Sequence, residues 1–199
     1  SPERFIRKKG SQIISQPIKG TRPRGTDTQM DAQLKLDLAA SPKDKSENVM
    51  IADLVRNDLS KVAQHGSVKT LELFGIYSFP TVHQMISTIT ADLKPDKSFC
   101  DIIQASFPMG SMTGAPKISA MKLIEKFENF QRGPYSGSLG YIDSQGDFDF
   151  NVLIRSIFYN PKNKTIATFA GGAITAESDP AEEYDECMVK AQSMLNALK

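Results

Sequence analysis

Two periods of apolar residues divide the chain into helices and strands. Spacings of three or four residues, as in Met30, Leu34 and Leu38, predict helices over 28–39, 46–63, 99–107, 117–130 and 180–198. Runs rich in β-branched residues and Thr predict strands over 12–18, 68–93, 136–142, 148–158 and 165–170. Asp-Ser-Gln-Gly and Asn-Pro-Lys-Asn turns join the last three strand regions and predict antiparallel hairpins. We therefore expect an α+β fold, with layers of largely antiparallel sheet and helices packed outside.

The composition is that of an ordinary globular protein. The 199 residues are 40% hydrophobic and 24% charged, which is enough for one substantial core. No linker or low-complexity segment divides the chain, so residues 1–199 are interpreted as one unit. Because the chain opens on Ser1 without Met and enters patterned sequence at once, we expect it to be a piece of a longer polypeptide.

Charge and hydropathy exclude several classes of partner. The net charge is +1 with both signs intermixed, so there is no basic patch for nucleic acid or an anionic membrane, and a small-molecule partner fits better. No apolar run approaches the roughly 20 residues that span a bilayer. Cys100 and Cys187 lie far apart without metal-ligand spacing, which favours a reduced, cytoplasmic setting over a disulfide framework.

The run Gln16-Pro17-Ile18-Lys19-Gly20-Thr21-Arg22-Pro23-Arg24-Gly25 predicts a turn that presents Lys19. A Lys amine is a nucleophile only when it is deprotonated, which desolvation or neighbouring cations such as Arg22 and Arg24 would favour. The sequence pattern alone leaves two interpretations open: a reactive amine, or a solvated connector punctuated by Gly and Pro.

Carboxylates on two predicted helices form the second candidate feature. Glu183 and Glu186 lie three residues apart with Lys190 four residues further, so all three project from one helical face. This face is either a solvated surface with an ion pair or, after the small residues of 170–173, the wall of a ligand site. Glu47 begins another helix, where it could compensate the helix dipole or join an oxygen-only site for Mg²⁺.

Two further residues carry chemistry in unusual places. Arg155 lies within the apolar run Asn151-Val152-Leu153-Ile154-Arg155-Ser156-Ile157, which predicts a buried Arg paired with either a structural Asp or a ligand carboxylate. His83 is more typical of a packed, hydrogen-bonded histidine than of a catalytic one.

Five blocks of sequence, taken together and in this order, resemble the chorismate-utilising enzymes. The blocks are Ser1-Pro2-Glu3-Arg4-Phe5, Pro17-Ile18-Lys19-Gly20-Thr21, the stretch from Glu47 through Asp58, the segment Phe107 to Lys117, and the ending from Ala170 through Lys190. The Lys of the Pro-Ile-x-Gly-Thr block is similar to that of the component I aminodeoxychorismate synthases, whereas anthranilate synthases typically carry Ala there.

The resemblance implies a reaction and its participants. It implies that Lys19 attacks C2 of chorismate as the C4 hydroxyl leaves, and that ammonia from a glutaminase subunit then attacks C4 and expels the lysine. The product would be 4-amino-4-deoxychorismate, on the route to 4-aminobenzoate and folate. Glu3 matches the general acid that protonates the leaving hydroxyl.

The resemblance also implies the binding site. Glu47, Glu183 and Glu186 match positions around Mg²⁺, and the metal in turn holds the ring carboxylate. Tyr135 and Arg155 match contacts to the carboxylate of the enolpyruvyl arm, and Thr21 lies beside the ring. The remaining matches are backbone contacts at Gly171 and Gly172 and an anion contact at Lys190.

This chain departs from the family pattern at three points. Gln84 stands where many members carry His, and His83 is one residue too early on a strand to replace it. Ala173 stands where Gly is usual. The family's N-terminal half is also missing, so we expect open sheet edges.

Other functions stay open at this point. Anthranilate synthase component I or another chorismate enzyme is one alternative, with Lys19 in a binding role only. The other is a non-catalytic fragment that binds a ligand or docks a subunit without turnover.

Overall fold

A seven-stranded antiparallel sheet forms the centre of the structure, a computed structural model that describes residues 2–176 and 178–198. The strands run in the order β3-β5-β2-β1-β7-β6, and β4 pairs with the outer side of β5. A two-stranded hairpin of β8 and β9 lies apart from this sheet. The strands are β1 Arg4–Lys9, β2 Gln12–Gln16, β3 Ile18–Pro23, β4 Lys69–Ser78, β5 Val82–Asp92, β6 Ser138–Ile142, β7 Phe148–Val152, β8 Ile157–Asn160 and β9 Thr165–Thr168.

Five helices accompany the sheet in the described residues. They are α1 Thr28–Ala40, α2 Pro42–Ser60, α3 Phe99–Ser106, α4 Lys117–Phe127 and α5 Pro180–Asn196, with one 3-10 turn at Gly110–Met112. The predicted α+β fold with antiparallel hairpins is confirmed. No helix in the described ranges is both long and apolar enough to cross a bilayer.

The core lies between the sheet and helices α2 and α3. It buries one face of β1, β2, β5 and β7 against apolar side chains of both helices, because alternate strand residues point to the same side. Its central members are Phe5, Ile13, Ala52, Leu59, Ile89, Ile102, Phe148 and Val152. At the sheet edges, β4 and β6 expose apolar side chains, among them Leu71, Leu139 and Tyr141.

Helix α2 begins at Pro42, four residues before the predicted start at Ser46. Ser41 caps it by accepting a hydrogen bond from the backbone N–H of Asp44, and Pro42 occupies the first helical turn, where a missing N–H costs nothing. The earlier start adds a full turn, which brings Lys43 and Asp44 onto the helix that carries Glu47.

The predicted strand over 148–158 is wrong in its middle. β7 ends at Val152 and β8 begins at Ile157, and Arg155 between them has φ of +48°. A residue with a side chain seldom adopts this left-handed conformation, and it cannot continue a strand. The apolar run Val152-Leu153-Ile154 therefore marks a corner rather than the interior of a strand.

Candidate active site

Lys19 lies within strand β3, so the predicted turn is wrong. Ile18 pairs with Ile86 and Thr21 with Gln84, which leaves one extra residue on β3 and forms a bulge. Gly20 in this bulge has φ of +91°, and a Cβ atom there would lie 2.9 Å from Leu38 Cδ1. The sequence pattern does not distinguish a Gly in a bulge from a Gly in a turn, because both positions need a positive φ and close approach of other atoms to the backbone.

Carboxylates surround Lys19, and the two arginines of the same segment have aspartate partners. Arg22 is paired with Asp44 at 2.8 Å and Arg24 with Asp31 at 2.7 Å. The Lys19 ammonium lies near enough to three carboxylates to favour their ionised forms, namely those of Glu3, Glu47 and Glu186. Activation of Lys19 by the two arginines stays a prediction.

Glu3 is a buried carboxyl at the entrance to β1, with only 5% of its surface exposed. Burial raises its pKa to about 7, against the lowering effects of the Ser111 hydroxyl and the charges of Lys19 and Arg155. Ser111 Oγ is itself buried and makes no hydrogen bond within the described part of the chain. It is nevertheless close enough to stabilise the Glu3 carboxylate. A carboxyl with this pKa can hold a proton at neutral pH and release it to a substrate.

Arg155 is a half-buried cation for which no described residue provides an anionic contact. Burial lowers its pKa, and the nearby Glu3 carboxylate opposes that effect. Within residues 2–176 and 178–198, its guanidinium makes no salt bridge or hydrogen bond. Of the two partners that the sequence left open, a structural Asp is thus absent among the described residues. The planar guanidinium remains available for bidentate binding of a carboxylate.

Glu47 and Glu186 face each other across the ends of α2 and α5. Burial raises the pKa of Glu47, with the charges of Lys19 and Lys43 opposing this and those of Asp44 and Glu186 adding to it. Burial also acts to raise the pKa of Glu186, but its hydrogen bond to Lys190 and the neighbouring lysines outweigh this and lower it.

Glu183 is buried beside these two carboxylates at the start of α5. Its Oε1 accepts a hydrogen bond from Ser178 Oγ at 2.8 Å and lies 3.7 Å from Lys43 Nζ. Its Oε2 is buried and has no hydrogen-bond partner among the described groups. A Cβ atom at Gly172 would lie 2.7 Å from this oxygen, which explains the need for Gly at that position.

The acidic cluster suits a hard cation in its donor type but is not assembled as a coordination shell. In the ranges that the structure describes, no group of three or more His, Cys, Asp or Glu side chains is placed to hold a metal ion. The buried, unpartnered Glu183 Oε2 is nevertheless the kind of group that a cation satisfies, and oxygen ligands suit Mg²⁺. The Mg²⁺ site at Glu47, Glu183 and Glu186 stays a prediction.

Tyr135, Gly171 and Lys190 lie on the remaining side of the site. Tyr135 is 8% exposed and stacks on Phe169, with ring centroids 5.4 Å apart. A Cβ atom at Gly171 would lie 3.0 Å from the Tyr135 hydroxyl. Lys190 Nζ contacts Glu186 at 2.5 Å and donates to the carbonyl of Gly171 at 3.1 Å. The predicted ion pair on α5 is therefore present and also joins that helix to the glycine segment.

His83 and Gln84 occupy opposite faces of β5. His83 is buried, and its ring nitrogens contact Asp31 Oδ1 and Ser78 Oγ, each at 2.9 Å, as expected for a packed histidine. Gln84, opposite Thr21, is 1% exposed, and its Nε2 has no hydrogen-bond partner among the described residues. The role of this amide, which stands at the usual His position, stays open.

Sequence reasoning missed two residues that shape the site. Lys43 sits among all three acids, and its position four residues before Glu47 on one helix could have revealed it. Ser111 reaches Glu3 from a distant loop, and no local pattern announces that contact.

Comparison with known proteins supports the resemblance seen in the sequence. A family model described as chorismate binding enzyme matches residues 1–196. The chain is 48% identical over its whole length to aminodeoxychorismate synthase of Streptomyces pristinaespiralis, covering 28% of that protein. It is 45% identical, again over its whole length, to aminodeoxychorismate synthase component 1 of Escherichia coli strain K12, covering 44% of it.

A solved structure shares the architecture. Anthranilate synthase component I from Streptococcus pneumoniae TIGR4 superposes with a TM-score of 0.82 at 30% identity, over 98% of this chain and 42% of that one. The chain thus spans less than half the length of each of these three proteins.

Proposed function

Because this chain belongs to the family of chorismate-binding enzymes, we propose that the protein carrying it aminates chorismate at C4 to give 4-amino-4-deoxychorismate. Ammonia is supplied by a glutaminase subunit, and the product feeds 4-aminobenzoate and folate synthesis. The observation that carries the proposal is the meeting of three groups: the amine of Lys19, the protonatable carboxyl of Glu3 and the guanidinium of Arg155, which has no ion-pair partner among the described residues. The names of the relatives support the choice of reaction.

Lys19 and Glu3 divide the first step between nucleophile and acid. The Lys19 amine forms a bond to C2, both ring double bonds of chorismate shift, and the C4 hydroxyl leaves as water with the proton of Glu3. Ammonia then bonds to C4 and the Lys19 nitrogen departs from C2. The proton lost from the new C4 ammonium returns Glu3 to its acid form, so chorismate and ammonia give the product and water.

Arg155 and Tyr135 bind the carboxylate of the enolpyruvyl arm. The support for this is that Arg155 is desolvated but makes no ion pair in the described ranges, so a ligand carboxylate would compensate a cost already present in the fold. Tyr135 adds a buried hydroxyl near Gly171.

Mg²⁺ would be held by Glu47, Glu183 and Glu186, and when bound it supplies positive charge to the ring carboxylate. The crowding of carboxylates around Lys19 supports a cation here. The carboxylates of Glu47 and Glu186 lie close enough for their like charges to repel each other. A cation held between them would offset that repulsion.

Mass spectrometry of the full-length protein with chorismate and Mg²⁺ but no ammonia tests the covalent step. We expect a chorismate-derived adduct on Lys19 that is lost in Lys19→Ala and kept in Lys43→Ala, a matched lysine in the same site. Absence of an adduct under conditions that support turnover would reject covalent catalysis.

Product analysis with ammonia tests the reaction class. Formation of 4-amino-4-deoxychorismate supports the proposal, whereas anthranilate and pyruvate would assign the protein to the anthranilate synthases. Binding of chorismate without any turnover would favour a non-catalytic role.

A further inference from the structure

Two segments within the sequence blocks that carry the family resemblance have no chemical role in the proposed reaction. One is the end of α2 from Asp53 through Asp58, and the other is the segment from Phe107 to Lys117. The fold joins them at a buried ion pair between Asp58 and Lys117. The surface pair of Asp53 and Arg56, by contrast, stays within one turn of α2.

Lys117 closes the loop 107–116 upon itself. It is the first residue of α4, and its Nζ contacts Asp58 Oδ2 at 2.5 Å and donates to the carbonyl of Ser106, the last residue of α3, at 3.1 Å. The side chains of Asp58 and Lys117 are only 4% and 13% exposed. One ammonium thus joins both ends of the loop to the carboxylate of Asp58 on α2.

A second lysine contacts the same carboxylate without spanning the loop. Lys61 Nζ lies 2.8 Å from Asp58 Oδ1 and donates to the carbonyl of Ala105 at 3.3 Å. Its side chain is 51% exposed, and it contacts only the α3 end of the loop. The two lysines therefore differ in geometry while sharing a partner.

The closed loop brings Ser111 to Glu3. The hydroxyl of Ser111 is buried beside the Glu3 carboxyl, and Met109 of the same loop is part of the core. Gly110 packs so tightly on α2 that a Cβ atom would lie 2.7 Å from Leu54 Cδ2. Glu3, Ser111 and Asp58 all line one cavity of about 20 Å³, which is enough room for one water molecule.

We propose that Asp58 and Lys117 are positioning residues, a clamp that holds loop 107–116 closed so that Ser111 stays beside Glu3. The consequence for catalysis rests on the proposed function, whereas the effect on Glu3 itself does not. A buried ion pair stabilises a fold poorly compared with apolar packing of the same volume, so its value here lies in fixing a position.

The other charges around Glu3 do not depend on the clamp. Lys19 faces Glu3 from β3 and Arg155 from the corner after β7. Asp58 of α2 lines the same small cavity, and the guanidinium of Arg4, the residue after Glu3, pairs with Asp149 at 2.9 Å. Loss of Ser111 from the site would therefore remove one stabilising contact of the Glu3 carboxylate and leave these charges in place.

Titration of Glu3 in the full-length protein without substrate tests the clamp directly. Glutamate labelled with ¹³C at the side-chain carboxyl gives the resonance, which Glu3→Gln identifies. In Lys117→Met we expect the titration midpoint of Glu3 to rise by roughly one pH unit, because the carboxylate loses the stabilising influence of the nearby Ser111 hydroxyl. In the matched control Lys61→Met, which removes a charge from the same Asp58, we expect no shift.

Ser111→Ala removes no buried charge and keeps the test decisive if Lys117→Met fails to fold. We expect it to raise the Glu3 midpoint by the same amount, and the double variant to show no larger shift than Ser111→Ala alone. An unchanged midpoint in Ser111→Ala, additive shifts in the double variant, or equal shifts in Lys61→Met and Lys117→Met would each overturn the proposal.

Turnover provides a separate measurement. If Glu3 is the general acid, the alkaline limb of the kcat/KM profile moves upward with the titration midpoint in Lys117→Met and Ser111→Ala. A shift in the resonance without a matching shift in the profile would retain the clamp and reject Glu3 as the acid.

Discussion

The candidate site has two ends, at Glu3 and at Glu186, where the ionisation of the carboxyl groups is controlled by opposite means. At the Glu3 end, the carboxyl is 5% exposed and its ionisation is governed by desolvation, one hydroxyl and two cations. At the Glu186 end, the side chain is 45% exposed, and its hydrogen bond to Lys190 together with the charges of nearby lysines outweighs burial. Desolvation thus favours the protonated form of Glu3, whereas neighbouring cations favour the ionised form of Glu186. Lys19 lies between the two ends and is exposed to both influences.

The largest expected effect is the loss of turnover when the desolvated proton donor Glu3 is replaced. Glu3→Gln keeps the shape of the side chain but removes its ionisable proton, so we expect turnover to fall by roughly 10²- to 10⁴-fold, the usual contribution of a general acid. Steady-state kinetics measure this, with binding of chorismate followed separately by calorimetry. Retention of near-normal turnover in Glu3→Gln would remove the distinction between the two ends.

The pH dependence of the free energy of unfolding provides a second test of the Glu3 end, again with Glu3→Gln. The folded-state pKa of Glu3, about 7, lies above its ordinary value of 4.5, so the protonated form contributes stability that is complete below pH 4.5 and lost as the pH rises to 7. Over that window we expect the contribution of Glu3 to fall by roughly 3 kcal/mol. Denaturant unfolding at several pH values should show Glu3→Gln to be the more stable protein at pH 8 and nearly equal to the parent at pH 4.

The acidic end is tested through its affinity for a metal. Glu183→Gln removes the charge of a carboxylate whose buried Oε2 has no hydrogen-bond partner in the described part of the chain. We expect Mg²⁺ to bind at least about tenfold more weakly, since even indirect partners of a metal site contribute this much. Isothermal calorimetry without substrate gives the measurement. Glu182→Gln, an exposed neighbour on the same helix, is the control. Equal affinities in the two variants would count against the metal site.

Lys43 should have the smallest effect and the opposite sign. Its ammonium lies near the three carboxylates predicted to bind Mg²⁺ and competes with the ion, so Lys43→Met should tighten Mg²⁺ binding. Because the Lys43 side chain is 61% exposed, we expect a change of only a few-fold, in line with about 1 kcal/mol or less for an exposed pair. Weaker binding in this variant would mean that Lys43 organises the acids rather than competing for them.

The sequence predicted the elements better than their junctions. Helices α1, α3 and α5 begin at their predicted first residues and end within two residues of their predicted ends, because apolar periodicity and capping residues are local signals. Lys19 and Arg155 were both placed in the wrong backbone setting. A bulge and a left-handed corner depend on how strands meet, and a single segment of sequence does not carry that information.

The electrostatics of the candidate site differ from those expected from the sequence. The resemblance brought Glu3, Glu47, Glu183 and Glu186 forward as a set, and the structure places three of them, Glu3, Glu47 and Glu186, within electrostatic reach of Lys19. The roles of all four stay predictions. Arg22 and Arg24 pair with aspartates on α2 and α1, and the cation that lies among the acids is instead Lys43. Coulomb interactions depend on distances of a few ångströms, which only the packed helices set.

Residue identity and local periodicity were thus enough to determine the α+β class, the antiparallel hairpins and the family. Only the tertiary structure determined that the Glu3 carboxyl is desolvated and that Arg155 has no ion-pair partner among the described residues. It also determined that loop 107–116 is the one that reaches Glu3. Propensity and capping act over a few neighbouring residues, whereas desolvation arises only when segments such as 1–5 and 107–117 pack together. The pKa of Glu3 is a property of that packing, and the clamp at Asp58 and Lys117 is where the fold fixes it.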